Sequence, residues 1–586
     1  MKRRLKVKLS IALLGCGVVF AVGAVEQLMK SRPELPVLLP DGALLSIEAR
    51  DFAGLLKDWN SSEEKRVWLT SVNHTVFSTD SRLYSRLSSA QQEFSAAAGL
   101  PTDSSLLDKV AGKESCLGLY DIGNLEFVYI TRLDQQEIEN TPLWQTRGKF
   151  EQRTEAGTSF YVHKDEQSSR MAAFAQRDGW LILGTREDLV AGVLDRLAGT
   201  ASHNLATEGW FAEAVKQTKG ERGDLRMVLN LAKIVRTPYF RSYWVQQNVT
   251  EMKQYASAVS DLYRTKDNYR EERILVRREA ETPSPQGDVQ SLLALAPDDA
   301  AFYAAQASPG SEQVLQSLRD NLLDLRAQRQ STRFVNAPLV AISGNAGSAT
   351  QLDVRIDQAP STVKQADAYA PLRALLLAQP PVASLEVFST RAPRDGVFVS
   401  LQTAMVLSAS RDWDKSEVCA ALTSALVPGL TAGKLGANWE QQATSDKRSS
   451  FAVLYLALDG AIPLYLSVSG KQLLLANDSR LLEQMLERHR KSGSPDSKAS
   501  VTYAALFRHT QEKNNYRLMM AQLDLAVHRG SGEQQTDTAN GQRPAFFSGD
   551  VQSLSGVFSK VESEHVEERD LGTKVTQTVT YQWRHN

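Results

Sequence analysis

The chain has 586 residues, of which 42 % are hydrophobic, with 35 glycines and 20 prolines. This length suffices for roughly three to four domains of ordinary size, and the composition excludes a collagen-like chain and argues against extensive disorder. Lysine and arginine total 67 against 68 aspartates and glutamates, so the formal net charge of −1 offers no overall positive charge for nucleic-acid binding. We therefore expect a folded protein with no nucleic-acid partner.

The N-terminus combines a basic segment with an apolar run. Residues 1–8 carry five basic side chains and precede an uncharged stretch from Leu9 to Val25. As a helix this stretch would be about 26 Å long, at the short end for crossing a bilayer. Because basic flanks stay cytoplasmic, the pattern predicts a cytoplasmic segment over 1–8, a transmembrane signal anchor over 9–28 and a Pro-rich spacer over 29–37. It also predicts a single-pass protein of the bacterial inner membrane, with its bulk in the periplasm or outside the cell.

Two other fates of this segment stay open. Cleavage after Ala24, at the small residues Val22-Gly23-Ala24, would release a soluble chain. Leu13-Leu14-Gly15-Cys16 resembles a lipoprotein box, which would lipidate Cys16, although the apolar run continues beyond that cysteine. The length of the run favours a retained anchor over both.

Short patterns recur in one order at an offset of roughly half the chain. The matched segments are 38–47 with 295–303, 159–162 with 450–453, 179–183 with 470–474, 189–194 with 481–486, 229–232 with 523–526, and 271–273 with 567–569. Asp188 and Ser479 are the expected N-caps of a repeated helix. The common order predicts a tandem duplication, with copy one over 38–280, a linker over 281–291 and copy two over 292–586, the latter with a mobile polar loop near 529–543.

Each copy has the pattern of an α+β domain, a mostly antiparallel sheet with packed helices. Predicted strands are 116–120, 126–131, 159–162, 180–183, 225–231, 384–388, 397–401, 451–456, 464–468, 473–475, 517–523 and 573–583. Predicted helices are 81–98, 207–217, 241–264, 311–328 and 416–426. Turn-length gaps between strands favour antiparallel pairing, with Ser469-Gly470 as one tight turn.

Motifs that carry chemistry are scarce. The eight histidines form no H-E-x-x-H pattern and no Cys/His cluster, so we predict neither a metal nor a cofactor, and catalytic residues remain unknown. Ser62-Glu-Glu-Lys65 matches S-x-x-K but lacks the Lys-Thr-Gly and Ser-Asp-Asn motifs that accompany it in penicillin-recognising enzymes. A helix N-terminus is the better interpretation of Ser62.

Two further groups of residues are candidates for a structural or binding role. Cys116 and Cys419 could pair across the two copies, but separate buried thiols are favoured. The aromatic residues Tyr239, Phe240, Tyr243 and Trp244 lie at helical spacing. They are candidates for a partner-binding surface, although such stripes more often pack into a core.

The chain resembles uncharacterised bacterial cell-envelope proteins with an N-terminal anchor and repeated domains that open with a Leu-Pro-Asp-like turn. The turns here are Leu39-Pro40-Asp41 and Ala296-Pro297-Asp298. The leading hypothesis is a non-enzymatic binding or scaffolding protein, with a protein partner held on a surface between the two copies and the bilayer contacted through 9–28. The alternatives are a carrier of a lipid or other apolar ligand, which needs a large apolar pocket, and a hydrolase of envelope material, which needs a pocket carboxyl of raised pKa.

Overall fold

The computed structural model describes most of the chain after residue 33. The described ranges are 34–62, 65–66, 69, 82–100, 105–166, 169–218, 220, 222–238, 252–265, 267–287, 289–323, 367–391, 400–430, 439–442, 453–456, 463–491, 501–509 and 561–583. The chain divides into two compact units, one of Met1–Asn60 with Ser81–Asp261 and one of Ser61–Asp80 with Leu262–Asn586. No helix in the described ranges is long and apolar enough to cross a membrane. The run from Leu9 to Val25 lies outside them.

An antiparallel sheet forms the centre of the first unit. Its strands are β1 Leu45–Ala49, β2 Ser115–Asp121, β3 Glu126–Arg132, β4 Glu151–Glu155, β5 Thr158–Lys164, β6 Met171–Arg177, β7 Trp180–Gly184 and β8 Leu225–Leu229. They pair in the order β8-β1-β2-β3-β7-β6-β5-β4. A further strand, β9 Tyr255–Arg264, crosses the boundary between the units in sequence.

Helices cover both faces of this sheet. They are α1 Leu35–Leu38, α2 Phe52–Ser61, α3 Arg82–Ala98, α4 Ser105–Val110, α5 Gln135–Glu139, α6 Pro142–Thr146, α7 Glu187–Ala198, α8 Gly209–Lys216 and α9 Leu231–Ile234, with 3-10 turns at Arg147–Lys149 and Leu205–Thr207. On one face, α3 to α6 share a core with Tyr129, Phe174 and Leu183. On the other face α7 packs closely on β7, and Gly184 leaves room for it. A Cβ at this position would lie 2.9 Å from Val190 Cγ2.

The second unit is also an antiparallel sheet with helices. Its strands are β10 Asn268–Arg277, β11 Phe302–Ala307, β12 Ala383–Arg391, β13 Ser400–Ser408, β14 Trp439–Gln442, β15 Val453–Leu456, β16 Leu464–Ser469, β17 Gln472–Ala476, β18 Tyr503–Arg508, β19 Val561–Asp570 and β20 Lys574–Trp583. They pair in the order β14-β15-β16-β17-β13-β12-β11-β18-β19-β20-β10.

Two buried clusters fill the faces of this second sheet. The helices are α10 Gln290–Leu293, α11 Ser311–Leu318 with a π-turn over Arg319–Leu323, α12 Ala370–Ala378, α13 Lys415–Leu430 and α14 Ser479–Lys491. Helices α11 to α13 pack against Met405, Leu407 and Leu475 on one face. Helices α10 and α14 pack against Val406 and Leu474 on the other, as the alternation of a strand requires.

The eight strands β1 to β8 and the eight strands β11 to β18 pair in the same order. Their registers also agree: Leu45 faces Leu119 and Leu229 in the first unit, and Phe302 faces Phe388 and Phe507 in the second. Leu45 and Phe302 are separated by the offset of the matched segments 38–47 and 295–303. The α+β class and the antiparallel pairing predicted from the sequence are confirmed.

Most predicted elements that fall on described residues are confirmed, including the strands at 116–120, 126–131 and 464–468, and the helices at 81–98 and 207–217. The helix predicted over 241–264 is wrong for residues 255–264, which form β9. Residues 239–251, the predicted strand 517–523 and the predicted loop near 529–543 lie outside the described ranges.

Three finer predictions are corrected. The matched segments 271–273 and 567–569 fall on β10 and β19, which hold different places in the strand order. Asp188 lies inside α7 and pairs with Arg186, because the helix begins two residues earlier than expected. Asp478, rather than Ser479, accepts the hydrogen bond from the Leu481 N–H, at 2.9 Å.

Candidate ligand-binding cavities

The residues singled out in the sequence do not assemble a site in the described ranges. Tyr239, Phe240, Tyr243 and Trp244 fall outside those ranges. Ser62 Oγ accepts a hydrogen bond from the Lys65 N–H at 3.1 Å, as a residue at a helix N-terminus does. Cys116 and Cys419 are free thiols. No group of three potential metal-ligating side chains occurs in the part of the chain that the structure describes.

An apolar cavity of about 540 Å³ lies in the first unit, between the sheet and the helices α2 to α4. Its floor is formed by β1, β2, β3, β7 and β8, through Ile47, Leu117, Leu119, Phe127, Leu183 and Leu225. Its roof is formed mainly by α3 and α4, through Leu87, Ala90, Phe94, Leu106, Leu107 and Val110. The volume falls in the range of about 300–1,000 Å³ that small-molecule sites occupy.

Two hydroxyl groups of this cavity, those of Tyr129 and Ser115, are already bonded to the protein. Tyr129 Oη donates a hydrogen bond to the Val110 carbonyl at 3.0 Å and lies 3.1 Å from Ser115 Oγ. Ser115 Oγ in turn lies 2.7 Å from Thr131 Oγ1. Burial raises the pKa of Tyr129, which keeps its phenol neutral. No charged residue lines the cavity. A ligand inside it therefore meets mostly hydrocarbon, together with the bonded hydroxyls of Tyr129 and Ser115 and the side chains of Gln91 and Ser95 on α3.

The apolar cavity opens to solvent through leucines. Leu87 on α3 is 50 % exposed and Leu107 on α4 is 45 % exposed, yet both line the cavity. Such large exposed apolar side chains at the rim of a pocket are typical of an interaction site. Trp59 on α2 is also 47 % exposed, and α2 has no buried residue.

Ion pairs fix α3 over the sheet. Glu93 on α3 contacts Arg86 at 3.3 Å and Arg170 at 2.6 Å. Arg86 Nε and Arg170 Nη1 donate to the carbonyls of Gly123 and Asn124, at 2.9 and 2.8 Å, in the turn between β2 and β3. The apolar cavity is therefore bounded by α3, which these ion pairs and hydrogen bonds attach to the sheet.

A second cavity, of about 430 Å³, lies on the opposite face of the same strands and is charged. Because side chains alternate along a strand, Ile47 of β1 lines the apolar cavity while its neighbour Glu48 lines the charged one. Four arginines and three glutamates contribute to its lining: Arg50, Arg132, Arg222, Arg226, Glu34, Glu48 and Glu114.

The deepest carboxyl of the charged cavity is Glu48, which is 6 % exposed. Its Oε2 lies 3.2 Å from Arg222 Nη1, and Arg222 Nη2 lies 3.1 Å from Glu34 Oε2. Burial raises the pKa of Glu48, and Arg222 opposes part of that effect. Next to it, Arg226 forms a bidentate pair with Asp261, with both bonds at 2.8 Å and both side chains buried.

The outer wall of the charged cavity contains Arg132 and Trp180. The Arg132 guanidinium lies 4.4 Å from the Trp180 ring centroid, and its Nε lies 3.0 Å from Glu114 Oε2. Arg50, at the end of β1, is exposed. The stacking on Trp180 holds the Arg132 fork in place.

Neither cavity is predicted by the sequence patterns described above. The signal for the charged one was present in Ser46-Ile47-Glu48-Ala49-Arg50, where charged side chains alternate with apolar ones along a strand. No comparable signal exists for the apolar cavity, because its empty volume depends on side-chain sizes in segments far apart in sequence.

Comparisons with known proteins add little. No protein-family model matches the chain, and no curated protein matches it. A solved structure titled "Structure of crystal form I of TP0453" aligns over 43 % of this chain and 82 % of that chain, at 9 % identity and a TM-score of 0.24. At that TM-score the alignment does not show a common fold.

Proposed function

We propose that the protein binds the hydrocarbon part of an apolar or amphiphilic ligand in the apolar cavity of its first unit. The observation that carries this proposal is a cavity of about 540 Å³ without a charged lining residue and with an apolar entrance. Empty apolar cavities stay dry and take up hydrocarbon, because water finds no polar partners inside them. The lipid-carrier alternative named from the sequence is therefore the one favoured here.

The entrance supports an elongated ligand. Leu87 and Leu107 line the cavity and also contact solvent, so apolar surface continues from the interior to the outside. A charged head group would lose its hydration inside and gain no ion partner, at a cost of several kcal/mol. The head group is expected to stay at the rim while the chain enters.

Duplication and membrane attachment belong to the same proposal. The shared order of β1 to β8 and β11 to β18, together with the matching registers at Leu45 and Phe302, supports descent of both units from one ancestral unit. The apolar run from Leu9 to Val25 supports an anchored envelope protein of the bacterial inner membrane. An anchor would keep a hydrophobic ligand site close to the source of such ligands.

The other roles inferred from the sequence stay predictions. Scaffolding through a surface between the two copies has no described side chain to support it, because the aromatic candidates at 239–244 fall outside the described ranges. The hydrolase alternative now has one candidate, Glu48, whose pKa is raised by burial in a cavity.

Binding of a dansyl-labelled fatty acid to the full chain tests the proposal, at one fixed detergent concentration and against a blank of protein-free micelles, because detergent tails compete for the cavity and micelles take up the probe. We expect saturable fluorescence enhancement in the wild type, and a loss of at least about tenfold in affinity for Ala90→Phe, which places a ring in the cavity. The control is Ala212→Phe on α8, where the alanine is exposed. Equal binding by the two variants would contradict the proposal, as would the absence of any saturable binding by the wild type.

A further inference from the structure

The charged cavity of the first unit is not required by its fold. Glu48 on β1 faces Arg226 on β8, three residues along from the Leu45–Leu229 pair. In the second unit, three residues along from the corresponding Phe302–Phe507 pair, Ala305 faces Ala504, and both alanines are buried. The same cross-strand position therefore holds two buried charged residues in the first unit and two buried alanines in the second.

A second position repeats the difference. On β3 and β7, Arg132 faces Trp180, four residues along from the Val128–Gly184 pair. On β13 and β17, Ser408 faces Gln472, four residues along from Ala404–Ala476. Since buried ion pairs are seldom more stabilising than well-packed apolar residues, stability alone does not account for the charges of the first unit.

The charges are also unequally matched. Both carboxylate oxygens of Asp261 contact Arg226, while the carboxylates of Glu34 and Glu48 both contact Arg222. The Arg132 Nε lies beside Glu114, but within the described ranges its two terminal nitrogens have no acceptor, and neither has the side chain of Arg50. Guanidinium groups with open terminal N–H donors suit the paired oxygens of a carboxylate or phosphate.

We propose that the charged cavity is a second ligand site, which binds the oxyanion of a small carboxylate or phosphate compound on Arg132 and Arg50. Trp180 holds the Arg132 guanidinium in a fixed plane, so that less conformational entropy is lost when the oxyanion binds. Arg50, at the exposed end of β1, adds positive charge at the opening. The site is separate from the apolar cavity, so the two proposals stand or fall independently.

Isothermal titration calorimetry of the full chain with inorganic phosphate and, separately, with succinate tests this site at constant ionic strength in chloride. We expect one of the two anions to bind saturably, and Arg132→Gln to weaken that binding at least about tenfold. Arg132→Lys keeps the positive charge but lacks the two terminal N–H groups of the guanidinium, so its anion affinity is expected to fall by a similar factor. The exposed position allows Arg50→Gln to fold normally, with a loss of about two- to fivefold.

Arg147→Gln is the matched control, because Arg147 also stacks on a tryptophan, Trp144 at 4.9 Å, but lies outside the charged cavity. The anion affinity of the Arg147→Gln variant is expected to stay within about twofold of the wild type. The proposal is overturned if neither anion binds, if Arg132→Lys binds like the wild type, or if the Arg147 and Arg132 variants lose affinity equally.

Discussion

The first and second units pair eight strands in the same order but fill one face of the sheet differently. This face, here called the helical face, lies under α3 to α6 in the first unit and under α11 to α13 in the second. In the second unit, Val314, Leu315 and Leu318 of α11 and Leu372 and Leu376 of α12 are all at most 2 % exposed. In the first unit, α2 buries no residue, and α3 and α4 leave Leu87 and Leu107 about half exposed. One strand order therefore supports both a filled core and a hollow one, and the hollow one is where binding is expected.

The largest effect should come from the filled face of the second unit. Leu318→Ala removes a fully buried side chain and is expected to lower the free energy of unfolding by about 2–5 kcal/mol. Leu107→Ala at the rim of the apolar cavity should change it by no more than about 0.5 kcal/mol. Urea denaturation followed by circular dichroism compares the two, and equal losses would mean that the helical face of the first unit is packed like that of the second.

Acid should weaken the second unit through one buried pair. The hydrogen bond from Arg277 holds the pKa of Asp570 at about 2, below its usual value. A depressed pKa means that the ionised carboxylate stabilises the fold above pH ~4, and this contribution of about 2 kcal/mol is lost as the pH falls toward 2. Denaturation of Asp570→Asn at a series of pH values should lack that component of the acid dependence.

The control for this pair is Asp298→Asn, whose carboxylate contacts Arg488 but is 85 % exposed. It should keep the wild-type acid dependence, because exposed ion pairs contribute little. If Asp570→Asn kept the same dependence too, the pair with Arg277 would not be the source.

Filling the hollow face should cost less than overfilling the packed one. Ala90→Leu on α3 points additional methyl groups toward empty volume and should change stability by less than about 1 kcal/mol, with either sign. Ala425→Leu on α13, inside the second unit's core, should destabilise by about 1–3 kcal/mol. Thermal unfolding of the two variants sharpens the comparison, and a larger loss for Ala90→Leu would refute the hollow core.

The smallest effect concerns tight turns. The β4–β5 turn of the first unit places Ala156 at φ 49° before Gly157 at φ 73°. The β16–β17 turn of the second unit, which matches β6–β7 in the strand order, has Gly470 at φ 53°. Ala156→Gly should therefore stabilise the first unit by up to about 1 kcal/mol, since a left-handed backbone disfavours a Cβ. Gly157→Ala should destabilise by a similar amount in the same denaturation experiment.

The sequence predicted the local elements well because their patterns are local. The short apolar runs in 116–120 and 126–131 and the apolar spacing of Leu189, Val193 and Leu194 each identify an element without reference to the rest of the chain. Residues 255–264 were misassigned because their small side chains, such as Ala256 and Ala258, suit a helix. Tertiary context prevailed there, since the extended strand brings Asp261 to Arg226.

The candidate sites could not be predicted in the same way. The apolar cavity exists because Ala90 and its neighbours on α3 do not reach strands that follow or precede them by many residues. Likewise Glu34, Glu114 and Arg222 become neighbours only when strand ends from distant segments meet. The strand registers identified the alanines to set against Glu48 and Arg226, whereas the matched segments 229–232 and 523–526 would have placed the counterpart of Arg226 outside the described ranges.

Strand β1 separates the two cavities, with Ile47 lining the apolar cavity on one face and Glu48 lining the charged cavity on the other. Removing a single residue from it would turn Glu48 toward the hydrocarbon and Ile47 toward the arginines. A substitution in β1 can therefore change the lining of one cavity alone, but an insertion or deletion in this strand would change the lining of both.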